Sequence, residues 1–373
     1  MNGQLKESVT KPLKLVDNQQ PKRNYGIDLL KIISMINIIN LHINNHTNHL
    51  KLKPEHPKYK QVYRLESFSF WPVDTFGLIS GIIGYKKFKL FNILYIWFEY
   101  WFYSIFLSSY LFVKNLDSKK SLFLSFFPLA INRHWYVNAY FFMYLFLPFL
   151  INQMNSMNKN YYSKIVLCYF LFYCLYHIII KYYLRKTNYN YINDGYSTLW
   201  LLVLYIVGGY IGRFYIQKRF LHNLIFLCIY LLSSFISSEF IFYNYRKHNV
   251  PNKILLEYYS PTIIIQALSL IFLFSNLKIK NQFLIKAILF LNPLNFNVTL
   301  IHARVFYFKI PIILNLYKFI KSLDANCLFF KIYGVSTIIY FICTFIDYFR
   351  FLLFKLLRIR NLCSYIENII KYS

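Results

Sequence analysis

The sequence predicts an all-α protein, a polytopic transmembrane helix bundle of about ten helices. Three observations carry that expectation. Apolar runs close to the ~20 residues that cross a bilayer as a helix recur from Gly26 to Ile346. Only 15% of the 373 residues are charged, against 57% hydrophobic. Just 10 Gly and 11 Pro punctuate the chain, too few for the loops of a soluble domain of this size.

The net charge of +28 does not point to nucleic acid, because the bases lie in short clusters between apolar runs, without a basic arm or a reader motif. Anionic lipid headgroups and an anionic cofactor are the better partners. The six cysteines form no CxxC pair and read as apolar fillers, with no disulfide or metal role. No cleavable signal peptide is evident, and the first helix reads as an uncleaved signal-anchor.

Residues 1–24 read as a disordered cytosolic tail, 25–357 as one transmembrane domain and 358–373 as a basic cytosolic tail suited to the membrane surface. The first span is Gly26 to Ile43, followed by a loop rich in His, Lys and Pro. His46, His49 and His56 there lack metal-ligand spacing and read as solvated. A second span, Phe68 to Tyr85, stops at Lys86, Lys87 and Lys89, and a third covers Leu90 to Val113. Ser121 to Ile131 is too short to cross and reads as re-entrant or interfacial. The fourth, Trp135 to Ile151, sets Tyr136, Tyr140 and Tyr144 at i, i+4 spacing, a stripe that suits helix packing. Further spans are Ile165 to Ile180, Thr198 to Phe214, Leu221 to Phe242, Pro261 to Ser275, Pro293 to Phe308 and Tyr333 to Ile346. An even number of crossings puts both termini on one side. The tight clusters at Lys86 and at Lys218–Arg219 favour an inside N-terminus.

The first span carries the sharpest signal. Lys31 and His42 sit inside its apolar run. Eleven helical steps return the chain to within about 20° of its starting direction, so the two share one face about 16 Å apart. A lysine in a membrane helix costs several kcal/mol unless it finds a partner, an aqueous cavity or an interface. The spacing suits bracketing something elongated.

Six stretches, in order, resemble the acyltransferase-3 family of multi-pass membrane O-acyltransferases. RNYGIDLLKIISMINIINLH resembles its opening helix, with Asp28, Lys31 and His42 on the acidic, basic and histidine positions. DTFGLISG resembles its second, placing Asp74 and Ser80. HWYVNAYFFMYLFLPFL and GYSTLWLLVLYIVGGYIGRF resemble later helices, LIHARV the late histidine pattern at His302, and DYFRFLLFKLL the closing segment with Asp347 and Arg350. The likeness spans Arg23 to Leu357. Two departures stand out: Lys31 replaces the family's usual arginine, and Lys86, Lys87 and Lys89 replace an arginine pair. Lysine keeps the charge and loses the planar bidentate fork.

The resemblance implies an integral membrane enzyme, in a plasma, inner or endomembrane, that moves an acyl group from an acyl-coenzyme A. The donor is commonly acetyl-CoA, and the acceptor a hydroxyl of a carbohydrate, a surface glycan or its lipid-linked precursor. Such chemistry needs a base, oxyanion donors and a hold on the anionic donor. His42 is the expected general base, because an imidazole titrates near neutrality. His302 is expected to orient the acceptor or the first histidine, with Arg304 on a different face. Asp74 stands mid-span, where a carboxylate is rarely idle, and is expected to pair with a lysine or a histidine. Lys31 with Lys86, Lys87 and Lys89 are the candidates for the coenzyme's phosphates, and Arg133 and His134 for the acceptor. Two other classes fit the same composition: a transporter or flippase for a lipid-linked sugar or anion, and a non-catalytic relative that binds glycan lipid.

Overall fold

The computed structural model describes residues 23–47, 49–184, 192–215, 222–307 and 327–372, with five positions between 315 and 322. Almost all of the expected N-terminal tail lies outside the described residues.

Fourteen α-helices follow in chain order among the described residues: α1 (Tyr25–His46), α2 (Tyr59–Ser69), α3 (Pro72–Gly84), α4 (Leu90–Val113), α5 (Lys119–Leu124), α6 (Trp135–Ser156), α7 (Lys159–Tyr169), α8 (His177–Leu184), α9 (Thr198–Phe214), α10 (Asn223–His248), α11 (Pro261–Ser275), α12 (Gln282–Tyr307), α13 (Leu328–Leu356) and α14 (Ile359–Tyr372). A π-helical turn, Phe170–Tyr176, joins α7 to α8. No strand interrupts the described residues. Eight of the resulting segments are long and apolar enough to cross a membrane, and α9 is a shorter apolar helix. The chain is an integral multi-pass membrane protein. Large apolar side chains on the outer faces of α4, α6, α10 and α13 stay exposed, as a lipid-facing surface requires.

Local chemistry sets the ends. Asn24 caps α1 by accepting the Ile27 N–H at 3.1 Å, and Asp28 complements the positive end of the helix in its first turn. Ser197 caps α9 through Trp200 N–H at 3.2 Å. Pro72 and Pro261 begin α3 and α11, where their missing N–H is no loss.

Several spans differ from their expected bounds, and three of the differences bear on the site. The second is two helices, α2 and α3, broken at Phe70 and Trp71 ahead of Pro72. α3 has 13 residues, about 20 Å, and cannot cross alone. α12 begins at Gln282 and runs straight through Pro293, because neighbouring helices let a membrane helix absorb a proline. α1 continues past Ile43 to His46, which turns one expected loop histidine into a helical one.

α1 lies at the centre and touches α2, α3, α11, α12 and α13. Its Ile27 and Leu30 join one apolar core, and its Met35, Ile39 and Ile43 join the other. α3 and α9 pack as a tight seam. A Cβ at Gly81 would collide with the Tyr205 carbonyl, and one at Gly208 with the Leu78 carbonyl. Gly77 with Gly81, and Gly208 with Gly212, are the small-xxx-small pairs that let two backbones meet. α14 packs along α4, where Glu367 Oε1 accepts the Leu90 N–H at 3.0 Å.

Candidate active site

A cavity of about 790 Å³ runs beside α1. Lys31, Met35, Ile38, Leu41, His42, Asn45 and His46 line it, a strip at i, i+3, i+4 spacing. The fifteen helical steps from Lys31 to His46 make that strip about 22 Å long. α12 supplies a second wall through Asn292, Asn295, Phe296, Thr299 and Ala303, while Phe76, Ser80, Tyr136 and Tyr140 supply a third. At the His46 end the lining passes to residues at helix starts and in loops: Arg133, His134, Trp135, Tyr196, Lys253 and Tyr258. Tyr136 and Tyr140 therefore face the cavity, where the tyrosine stripe alone reads as packing.

The structure brings His42 and His302 together, with ring centroids 4.9 Å apart and planes at 45°. His46 stands edge-on to His42 at 6.3 Å. His302 is fully buried, and its Nδ1 lies 2.6 Å from the Val298 carbonyl one turn earlier. A carbonyl only accepts, so Nδ1 carries the proton and the neutral ring keeps its basic lone pair on Nε2. Of the three histidines expected to be solvated, His49 is buried, whereas His46 at the end of α1 and His56 in the loop are exposed.

Lys31 lies at the opposite end of the strip. Its ammonium meets Asp28 Oδ1 at 3.1 Å, and Asp28 also takes Arg23 at 2.5 Å. Asn295 Nδ2 donates to the Lys31 carbonyl at 3.0 Å, which ties α12 to α1. Lys86, Lys87 and Lys89 are exposed in the turn between α3 and α4 and do not line the cavity. Asp74 is also outside the lining. It is fully buried in the α3–α9 seam, where Trp200 Nε1 donates to Oδ1 at 3.1 Å and Oδ2 has no hydrogen bond among the described residues. No lysine or histidine pairs with it there. The described part of Arg304 is backbone alone.

Sequence reasoning missed two groups. Arg350 is held against Asp347 by Nε–Oδ1 and Nη2–Oδ2 contacts of 2.9 and 2.7 Å, and against Glu99 at 2.8 Å. Tyr103 donates to Asp347 at 2.6 Å and Asn297 Nδ2 to Glu99 Oε1 at 3.0 Å. All three charged residues are buried, and Glu99 reaches the cavity lining. A lone Glu99 in an apolar run, with Asp347 and Arg350 at i, i+3 elsewhere, was the available signal, since buried membrane charges demand partners. The second group is Glu66 and Lys253, both lining the cavity; burial lowers the Lys253 ammonium, while Glu66 acts in the opposite direction. Their separation in sequence left no trace in spacing. No group of three or more His, Cys, Asp or Glu with metal-binding geometry occurs among the described residues.

A central helix that aligns a lysine and a histidine along a deep cavity, with a second histidine delivered by a distant helix, defines a membrane-embedded site built for polar chemistry. A family model described as an acyltransferase domain matches residues 24–346. The chain belongs to that family, the acyltransferase-3 family of membrane acyltransferases. No curated protein and no solved structure matches it.

Proposed function

We propose that this membrane acyltransferase moves an acetyl group from acetyl-CoA to a hydroxyl of a surface glycan or of its lipid-linked precursor. The observation that carries the reading is one cavity lined at once by Lys31 and His42, with His302 against His42. The lining suits the donor. An ammonium at one end, the apolar Met35, Ile38 and Leu41 between, and imidazoles at the other end complement a long carrier with anionic phosphates far from its reactive end. When bound, acetyl-CoA supplies an acetyl group activated as a thioester.

The chain's own residues then divide the work. His42 accepts the proton of the acceptor hydroxyl, a role that typically contributes 10²- to 10⁴-fold. His302, locked by its bond to Val298 and buried outside the cavity lining, orients His42. Lys31 offers a point charge to phosphate, and Asp28 and Arg23 hold its side chain in place. Glu99, pinned by Arg350, sets the charge at the same end. Lys86, Lys87 and Lys89 serve the membrane surface and the donor's approach.

His42→Ala is the test. Mass spectrometry of surface glycans should lose one acetyl unit per acceptor, with the rate down by about 10²-fold or more and membrane expression retained. Activity that survives the substitution removes His42 from the mechanism.

A further inference from the structure

We propose that the loop end of the cavity is a distinct subsite for a neutral sugar ring, stacked on Trp135, Tyr196 and Tyr258 and gripped by Glu66 and Lys253. The inference rests on the acyl-transfer reading, for which this ring would be the acceptor.

Four separate segments deliver aromatic side chains to this end. Trp135 begins α6, Tyr196 and Tyr258 precede α9 and α11, and Phe70 fills the break between α2 and α3. Their rings form one connected wall, with centroids 4.6 Å apart for Trp135–Tyr196, 4.9 Å for Tyr196–Tyr258 and 4.8 Å for Phe70–Tyr258. Tyr196 stays 39% exposed although it lines the cavity. A wall of flat apolar rings with a few fixed polar groups at its rim fits a ligand that is apolar on its face and polar at its edge. A pyranose has that form, with C–H faces and a rim of hydroxyls.

The polar groups are set for such a rim. Glu66 is only 6% exposed, and among the described residues its carboxylate receives a single hydrogen bond, from Asn44 Nδ2 at 3.3 Å. Lys253 lies over the Tyr63 ring at 5.0 Å and makes no ion pair with Glu66 among the described residues. A buried carboxylate and an ammonium held apart beside a cavity present an acceptor and a donor to neighbouring hydroxyls.

Charge then selects among sugars. Lys181 bridges Asp194, at 2.7 Å, and Glu257. With Lys181, Lys253 and Arg133 set against the three carboxylates of Glu66, Asp194 and Glu257, the fixed charges at this end cancel. A sugar carboxylate would add a negative charge to a balanced set and would have to compete with Glu66 for Lys253, at a desolvation cost a neutral ring avoids.

The experiment is saturation-transfer NMR on the full-length protein in detergent, with neutral methyl glycosides (glucoside, galactoside, mannoside and rhamnoside) and methyl glucuronide as probes. At least one neutral glycoside should receive saturation and the glucuronide should not. Tyr196→Leu should weaken that binding about tenfold, and Glu66→Gln, which keeps an acceptor oxygen for Asn44, severalfold. Thermal unfolding of each variant reports folding, and Glu66→Gln is the near-isosteric fallback. Equal saturation of the glucuronide, none for any neutral glycoside, or wild-type binding in both variants overturns the subsite. Binding needs no turnover: glycoside binding without acetylation would count against acyl transfer alone, whereas acetylation without such binding would sink the subsite.

Discussion

The α1–α12 face and the α3–α9 seam both bury an ionisable residue in the membrane-embedded bundle, and they treat it in opposite ways. His42 looks into a cavity and has the buried His302, which does not line it, packed against its ring. Asp74 is clamped between helices whose glycines bring backbone against backbone, and among the described residues it accepts one hydrogen bond, from the Trp200 indole. Both residues are costly to hold away from water. The difference teaches that burial of a titratable group marks it as purposeful without saying whether the purpose is chemistry or packing; what decides is whether space for a substrate adjoins it.

The sharpest way to break this contrast is to wedge the seam open. Gly81→Leu or Gly208→Leu drives a side chain into a facing carbonyl, and neither variant should give a monodisperse species on size exclusion. A folded, active Gly208→Leu would show that the seam is looser than the close approach of α3 and α9 implies. Next comes Arg350→Met, which strands Glu99 and Asp347; about 3–5 kcal/mol of stability should be lost, read as a lower unfolding midpoint in detergent. Adding Glu99→Gln and Asp347→Asn should restore much of it, since neutral partners no longer need the guanidinium.

Two further substitutions compare the faces directly. His302→Ala should slow acetyl transfer about 10²-fold while the protein still purifies as a folded species. Asp74→Ala should cost about 1–3 kcal/mol by leaving the Trp200 N–H without its acceptor, with the rate per folded molecule changed by about twofold at most. An Asp74→Ala rate as low as that of His302→Ala would place the carboxylate in the chemistry and erase the distinction.

Composition and apolar run length alone were enough for an all-helical membrane bundle, because a chain in lipid must satisfy its backbone internally and helices do so locally. The shared face of Lys31 and His42 was equally legible, since 3.6-residue periodicity is a property of one helix. Everything that depends on two helices meeting was decided by the fold. His302, 260 positions from His42, reaches it only because α12 packs on α1. Lys86, Lys87 and Lys89 resemble phosphate ligands in sequence, yet their turn leaves them away from the cavity lining. Glu99 and Arg350 are isolated charges until packing pairs them, and Glu66 and Lys253 until packing sets both on the cavity wall. Local periodicity survives in a linear string of residues; long-range proximity does not, and the cavity is made of the latter.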